Sequence, residues 1–197
     1  MKKSFCFLFA LGTCLSQYAL GTEILLEAQG AYYLPTDASF KKIYYESGIY
    51  GLETSIQTWK NLYTWMSASL FTKSGQSIGL ENNTNITFIP IGVGLKYLWK
   101  VKRVDLYGGL GALPTYLNIH DQSSYVTQKT RKWGCGGVAK IGAIINLPQS
   151  FFIDLFSSYS YINISNHTTY EKKVYDHSAN LSGYSFGLGI GYRFGSK

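Results

Sequence analysis

Two things are nearly missing from this chain: long apolar runs and cysteine. A membrane-spanning helix needs about 20 consecutive apolar residues. The one sustained run, Phe5 to Leu11, is far too short, so no helical span is present. Of three cysteines, Cys6 and Cys14 lie within the first 21 residues and Cys135 stands alone beyond them, which excludes an internal disulfide there. A lone cysteine is a reactive thiol or a small apolar residue. Trp133-Gly134-Cys135-Gly136 offers it no catalytic partner, which favours the second reading. Charge is sparse as well, at 15% Asp, Glu, Lys and Arg. Lys100, Lys102 and Arg103 crowd one short turn instead of forming the continuous basic stripe of a nucleic-acid surface, so no nucleic-acid partner is expected. The three histidines, His120, His167 and His177, have no metal-ligand spacing. Gly187-Leu188-Gly189-Ile190-Gly191 has no following helix and no lysine placed for a phosphate, so no cofactor site is read from it.

What is present begins with MKKSFCFLFALGTCLSQYALG: two lysines, a short apolar run, a polar break and small residues at Ala19 and Gly21. That is the layout of a secretory signal peptide over residues 1–21, cleaved after Gly21. A rival reading places an acylated cysteine at Cys14 after Leu11-Gly12-Thr13, although Thr13 is bulky for such a site. Residues 22–197 then form one domain of about 176 residues. Losing Lys2 and Lys3 takes Lys plus Arg from 18 to 16 against 11 acids.

The stretch Gly183 to Phe194 shows the pattern of the remainder. Tyr184, Phe186, Leu188, Ile190, Tyr192 and Phe194 alternate with Ser185, Gly187, Gly189, Gly191 and Arg193. A helix would scatter the six large side chains around its axis, and three interior glycines would destabilise it by about 1 kcal/mol each. At period 2 they share one face of a strand. The same reading gives eight strands: Ile24–Leu34, Ile49–Trp59, Leu62–Phe71, Ile86–Trp99, Val104–Tyr116, Trp133–Leu147, Phe151–Tyr161 and Leu181–Phe194. In the third, aromatics and aliphatics fall on opposite parities, and its facing stays open.

The connections alternate strictly between long and short. PTDASFKKIYYESG, TKSGQSIGLENNTN, NIHDQSSYVTQKTRK and INISNHTTYEKKVYDHSAN are long; Lys60-Asn61, KVKR and PQS are short. In an up-and-down meander the long ones share one end, as in membrane barrels with short turns on one side and long loops on the other. A soluble eight-stranded barrel is the alternative. The two faces distinguish them. One is apolar and nearly free of charge, with Tyr97, Trp99, Tyr116, Trp133, Tyr159, Tyr161, Tyr184 and Tyr192 near strand ends, as in an interfacial girdle. The other carries Glu27, Glu53, Lys96, Asp105, Lys140, Asp154 and Arg193, too much charge for a dry core. The expected fold is all-β: a single eight-stranded antiparallel up-and-down transmembrane β-barrel, lipid outside and charge in the lumen. The lumen is only wide enough for side chains to fill. Centring the KVKR turn between Lys100 and Val101 sets Lys96 across from Asp105, and closure brings Arg193 beside Glu27.

This pattern resembles the small eight-stranded outer-membrane β-barrel proteins of Gram-negative bacteria over the whole of residues 22–197. In that family a last strand of alternating aromatic and aliphatic residues ending in phenylalanine is read by the barrel assembly machinery. Tyr184, Phe186, Leu188, Ile190, Tyr192 and Phe194 match as they stand; Gly195-Ser196-Lys197 trail beyond the usual stop. The resemblance implies an outer-membrane location, with membrane lipid and the assembly machinery as partners. Some members modify lipid A, but His177-Ser178-Ala179-Asn180 departs from the deacylase pattern, in which His and Ser are one residue apart. The expectation is a non-enzymatic, monomeric surface protein with four long external loops. A narrow channel for small or apolar solutes is the alternative, and a lipid A-modifying hydrolase is third.

Overall fold

The computed structural model describes residues 22–76, 83–122, 127–170 and 173–195. The expected leader, residues 1–21, lies outside them, with Cys14. The strands are β1 (Ile24–Pro35), β2 (Ser47–Trp59), β3 (Leu62–Gln76), β4 (Asn83–Val101), β5 (Val104–Ala112), β6 (Thr115–Gln122), β7 (Thr127–Asn146), β8 (Phe151–Tyr170), β9 (Lys173–Asn180) and β10 (Gly183–Phe194). One short helix, α1 (Ala38–Tyr44), joins β1 to β2.

The ten segments make eight staves. β5 and β6 both pair with β4 on one side and β7 on the other, in a register unchanged across Leu113-Pro114. Pro114 has no N–H to give the ladder, and this interrupts the strand without ending it. β9 and β10 likewise continue one register along β8 across Leu181-Ser182. All pairings are antiparallel, and β1 closes on β10 from Ile24 opposite Phe194 to Pro35 opposite Gly183. The fold is a closed eight-stranded up-and-down barrel, with no backbone edge left along the closed part of the wall.

The long connections differ from expectation. Three of the four contain strand: β3 runs on to Gln76 and β4 starts at Asn83, β6 and β7 extend the next hairpin, and β8 with β9 extends the last. The ladder continues because it is made by backbone groups. Period-2 apolar patterning fades there because lipid no longer faces one side. The first connection instead forms α1. Asp37 caps it, its Oδ1 accepting from Phe40 N–H at 2.8 Å, as a short acidic side chain does for an orphan donor.

Outside, the wall is apolar. Leu188 is 57% and Ile190 61% exposed, and all six large residues of β10 point outward. The third strand resolves with Met66 and Leu70 outside and Tyr63, Trp65 and Phe71 inside. Aromatic rings pair at both rims. Tyr97 with Trp99 (5.0 Å between centroids) and Phe151 with Tyr192 (5.2 Å) lie at the short-turn end. Tyr116 with Trp133 (5.3 Å) and Tyr159 with Tyr184 (4.9 Å) lie at the other.

The interior is not polar throughout, which corrects the uniform charged lumen read from the sequence. Its short-turn half holds charges around a ring of Leu25, Tyr63, Leu98, Tyr107, Ile144 and Phe152. Its long-link half is an apolar cluster including Tyr33, Phe71, Phe88, Leu117, Ile162 and Leu181, roofed by Phe40 and Tyr44 of α1. Phe71 and Phe88 stack at 4.5 Å, and Tyr33 meets both edge-on. The bare face of β10 is explained here. Any Cβ on Gly191 would collide with the Phe152 ring, and one on Gly187 would stand 2.6 Å from that of Phe156.

Candidate functional site

Period 2 places inward residues at successive levels, and the charges collect at two of them. At the middle level are Glu27 (β1), Glu53 (β2), Lys96 (β4), Lys140 (β7) and Asp154 (β8), all buried. Glu53 is the hub. Its Oε1 accepts from Lys96 Nζ at 2.9 Å and its Oε2 from Lys140 Nζ at 2.8 Å. Lys140 also stands 4.0 Å from Glu27 Oε1, which accepts from Gln29. The Tyr107 hydroxyl donates to Asp154 Oδ2 at 2.7 Å. Both ammonium groups lie against aromatic faces, Lys96 over Tyr107 at 4.9 Å and Lys140 over Phe156 at 4.4 Å. Burial removes these charges from water; the mutual geometry of Glu53, Lys96 and Lys140 compensates, whereas Glu27 Oε2 and Asp154 Oδ1 have no hydrogen-bond partner among the described residues.

The second level lies at the short-turn mouth. Arg193 Nη2 donates to Asp105 Oδ2 at 2.7 Å, and Asn146 Nδ2 to the same oxygen at 3.1 Å. Arg193 Nη1 is 2.8 Å from Glu23 Oε1, an ion-pair distance without hydrogen-bond alignment. Glu23 Oε2 accepts from Lys100 at 2.8 Å. Arg193 sits on β10 and Asp105 on β5, so this contact reaches across the barrel.

The seven charged residues named from the sequence thus divide: five meet in the middle, while Asp105 and Arg193 meet at the mouth. Two specific pairings are corrected. The turn residues are Lys102 and Arg103, with Lys102 at φ 54°, so Lys100 stands opposite Asp105 and Lys96 opposite Gly109. Lys96 reaches Glu53 instead. Arg193 stands opposite Leu25, and its partners are Glu23 and Asp105, not Glu27. Sequence reading missed Glu23, Lys100 and Tyr107. Parity along the first strand, from Glu27 back through Leu25, already points Glu23 inward. Lys100 was hidden by the misplaced turn.

The six large residues of β10 form a continuous outward face rather than a pocket. His120, His167 and His177 lie in the extended hairpins, with their side chains outside the described detail. Cys135 is exposed on the outer wall.

No family model and no curated protein matches the chain by sequence. Its fold, however, is that of the small eight-stranded outer-membrane β-barrels. The crystal structure of neisserial surface protein A is 14% identical at a TM-score of 0.58, with 88% of this chain and 97% of that one covered. The solution structure of outer membrane protein W of E. coli is 14% identical at 0.57, covering 88% and 98%. Ail of Yersinia pestis, in complex with the heparin analogue sucrose octasulfate, is 16% identical at 0.53, covering 88% and 97%.

Proposed function

We propose that the chain is a non-enzymatic, monomeric integral outer-membrane protein whose lumen is blocked by its own side chains and whose extended hairpins face the exterior. The observation that carries this is inverted polarity. A closed wall turns Leu, Ile, Phe and Met outward while Glu53, Lys96 and Asp154 are buried inside. In water such an arrangement leaves a wide apolar belt uncovered; in lipid it is the stable one, because the closed ladder satisfies the backbone internally. Aromatic pairs at both rims suit the two interfaces.

The blocked lumen is supported by the two ionic levels and the apolar roof. Glu53 is engaged with Lys96 and Lys140, and Asp105 with Arg193, which favours a structural or surface role over catalysis. Membrane lipid covers the belt. Tyr184, Phe186, Leu188, Ile190, Tyr192 and Phe194 serve as the signal for the barrel assembly machinery.

The test is labelling in intact cells with a membrane-impermeant maleimide, in a Cys135→Ser background. Cysteine placed at Lys42, exposed on α1, reacts in intact cells; cysteine at Lys102, exposed in the short turn, reacts only after lysis. The reverse pattern inverts the orientation. Equal labelling without lysis, from protein that is not heat-modifiable on gels, contradicts membrane insertion.

A further inference from the structure

Between the central charges and the apolar roof, one level of the interior is built from small side chains. Ala31 on β1, Gly51 on β2, Ser67 and Ser69 on β3, Ser158 on β8 and Ser185 on β10 leave a cavity of about 90 Å³. Its two ends differ in chemistry. The floor is Glu53 and Lys140; the ceiling is Tyr33, Phe88, Leu113 and Ile162.

The polar groups at this level have capacity to spare. The hydroxyls of Ser67, Ser69, Ser158 and Ser185 make no hydrogen bond to any described residue. The Lys140 ammonium has three protons. Glu53 takes one at 2.8 Å and Glu27 stands at 4.0 Å, which leaves a donor for a third partner. Water can satisfy the serines, but it gains nothing from the ceiling. A ligand with a polar end and a hydrocarbon end gains from both.

We propose that this cavity is a binding site for a small neutral molecule with one hydrogen-bonding oxygen and a compact hydrocarbon group, the class of short branched alcohols and ketones. The oxygen meets Lys140 and the serines; the hydrocarbon packs under Phe88, Leu113 and Ile162. Neutrality follows from the floor, where an anion would face Glu53 and a cation Lys140. Size follows from volume. An apolar cavity of about 150 Å³ accepts benzene, so this one, at about 90 Å³, suits roughly three or four heavy atoms. The proposal rests on the closed interior and holds whichever membrane the barrel occupies.

The probe is 2-propanol, added to protein refolded in lipid nanodiscs. The readout is nuclear Overhauser contact from its methyl protons to the methyls of Leu113, Val138 and Ile162, with a titration of their chemical shifts. The expected result is contact with these inward methyls and saturable shifts. Ser158→Leu, which fills the cavity, weakens binding at least tenfold; Ser69→Val does the same should Ser158→Leu fail to refold. Contacts confined to outward residues such as Leu110 and Ile141 would show simple partition into lipid and overturn the proposal. Contacts from water alone would show a hydrated void and overturn it equally. Heat-modifiability of the same samples reports the barrel itself, so a failed probe is distinguishable from a failed fold.

Discussion

One half of this barrel's interior is filled with charge and the other with hydrocarbon, and the two halves fail in different ways. Near the short turns every buried charge depends on named partners: Glu53 on two lysines, Arg193 on Asp105 and Glu23. Under α1, Phe40, Phe71, Phe88 and Tyr33 hold one another through ring contacts in which no single pair is decisive. Stability in the first half is therefore specific to chemical identity, and in the second to volume and shape.

The largest expected effect is at the hub of the charged half. Glu53→Ala leaves Lys96 and Lys140 buried without their nearest carboxylate. Breaking one buried pair costs about 3–5 kcal/mol, and two pairs share Glu53, so the loss falls at or above the top of that range in a urea refolding titration. In the apolar half, Phe88→Ala costs about 3–5 kcal/mol by transfer and cavity terms. Conservative changes sharpen the contrast. Phe88→Leu recovers much of the loss because volume is largely kept. Glu53→Asp does not, because a shorter arm cannot span Lys96 and Lys140 together. Equal rescue in both halves would erase the distinction.

A smaller effect tests the wall. Leu188→Lys, at 57% exposure on the lipid-facing side, costs about 2–4 kcal/mol near the bilayer midplane. Trp59→Lys, beside the turn at Lys60-Asn61, costs little because that rim is wet. Indistinguishable refolding midpoints for the two variants would contradict the assigned faces.

The smallest effect concerns α1. A hydrogen bond from Lys41, aided by one from Tyr32, holds the Glu46 carboxyl below its ordinary 4.5. A depressed carboxylate stabilises the fold above that ordinary value, and the contribution is lost as pH falls through the lower, folded one. Protection of α1 against hydrogen exchange, taken relative to the intrinsic rate at each pH, therefore falls on acidification below about pH 4.5 in the wild type, and Glu46→Gln abolishes that step. An identical acid response in the variant would assign the change elsewhere.

The wall was legible because a strand facing lipid must alternate. Leu188, Ile190 and Tyr192 declare their face at period 2, and the short turns separate one strand from the next. The extended hairpins were not legible. In Thr115–Gln122, in residues 127–132 and 163–170, and in Lys173–Asn180 the sequence carries no sustained period-2 apolar alternation, so nothing marks these stretches as strand. α1 was missed because seven residues are too few for a helical period to show. In the interior, Glu27, Glu53, Lys96, Lys140 and Asp154 were readable as inward by parity alone. Their partners were not, since the Arg193–Asp105 contact crosses the barrel and no strand register contains it. The ceiling escaped for a related reason. Tyr33, Phe71 and Phe88 alternate with outward apolar residues, so a segment oily on both faces reads as one-sided until the fold is closed.

The most direct test of a blocked lumen is conductance of the purified protein in a planar bilayer. With the mouth closed by Arg193, Asp105 and Glu23, the middle by Glu53 and its lysines, and the top by the apolar roof, the wild type should show no steady single-channel current. Asp105→Ala, which frees Arg193 at the mouth while leaving the middle closed, should show at most brief flickering. A large, steady conductance from the wild type, unchanged by Asp105→Ala, would contradict the account.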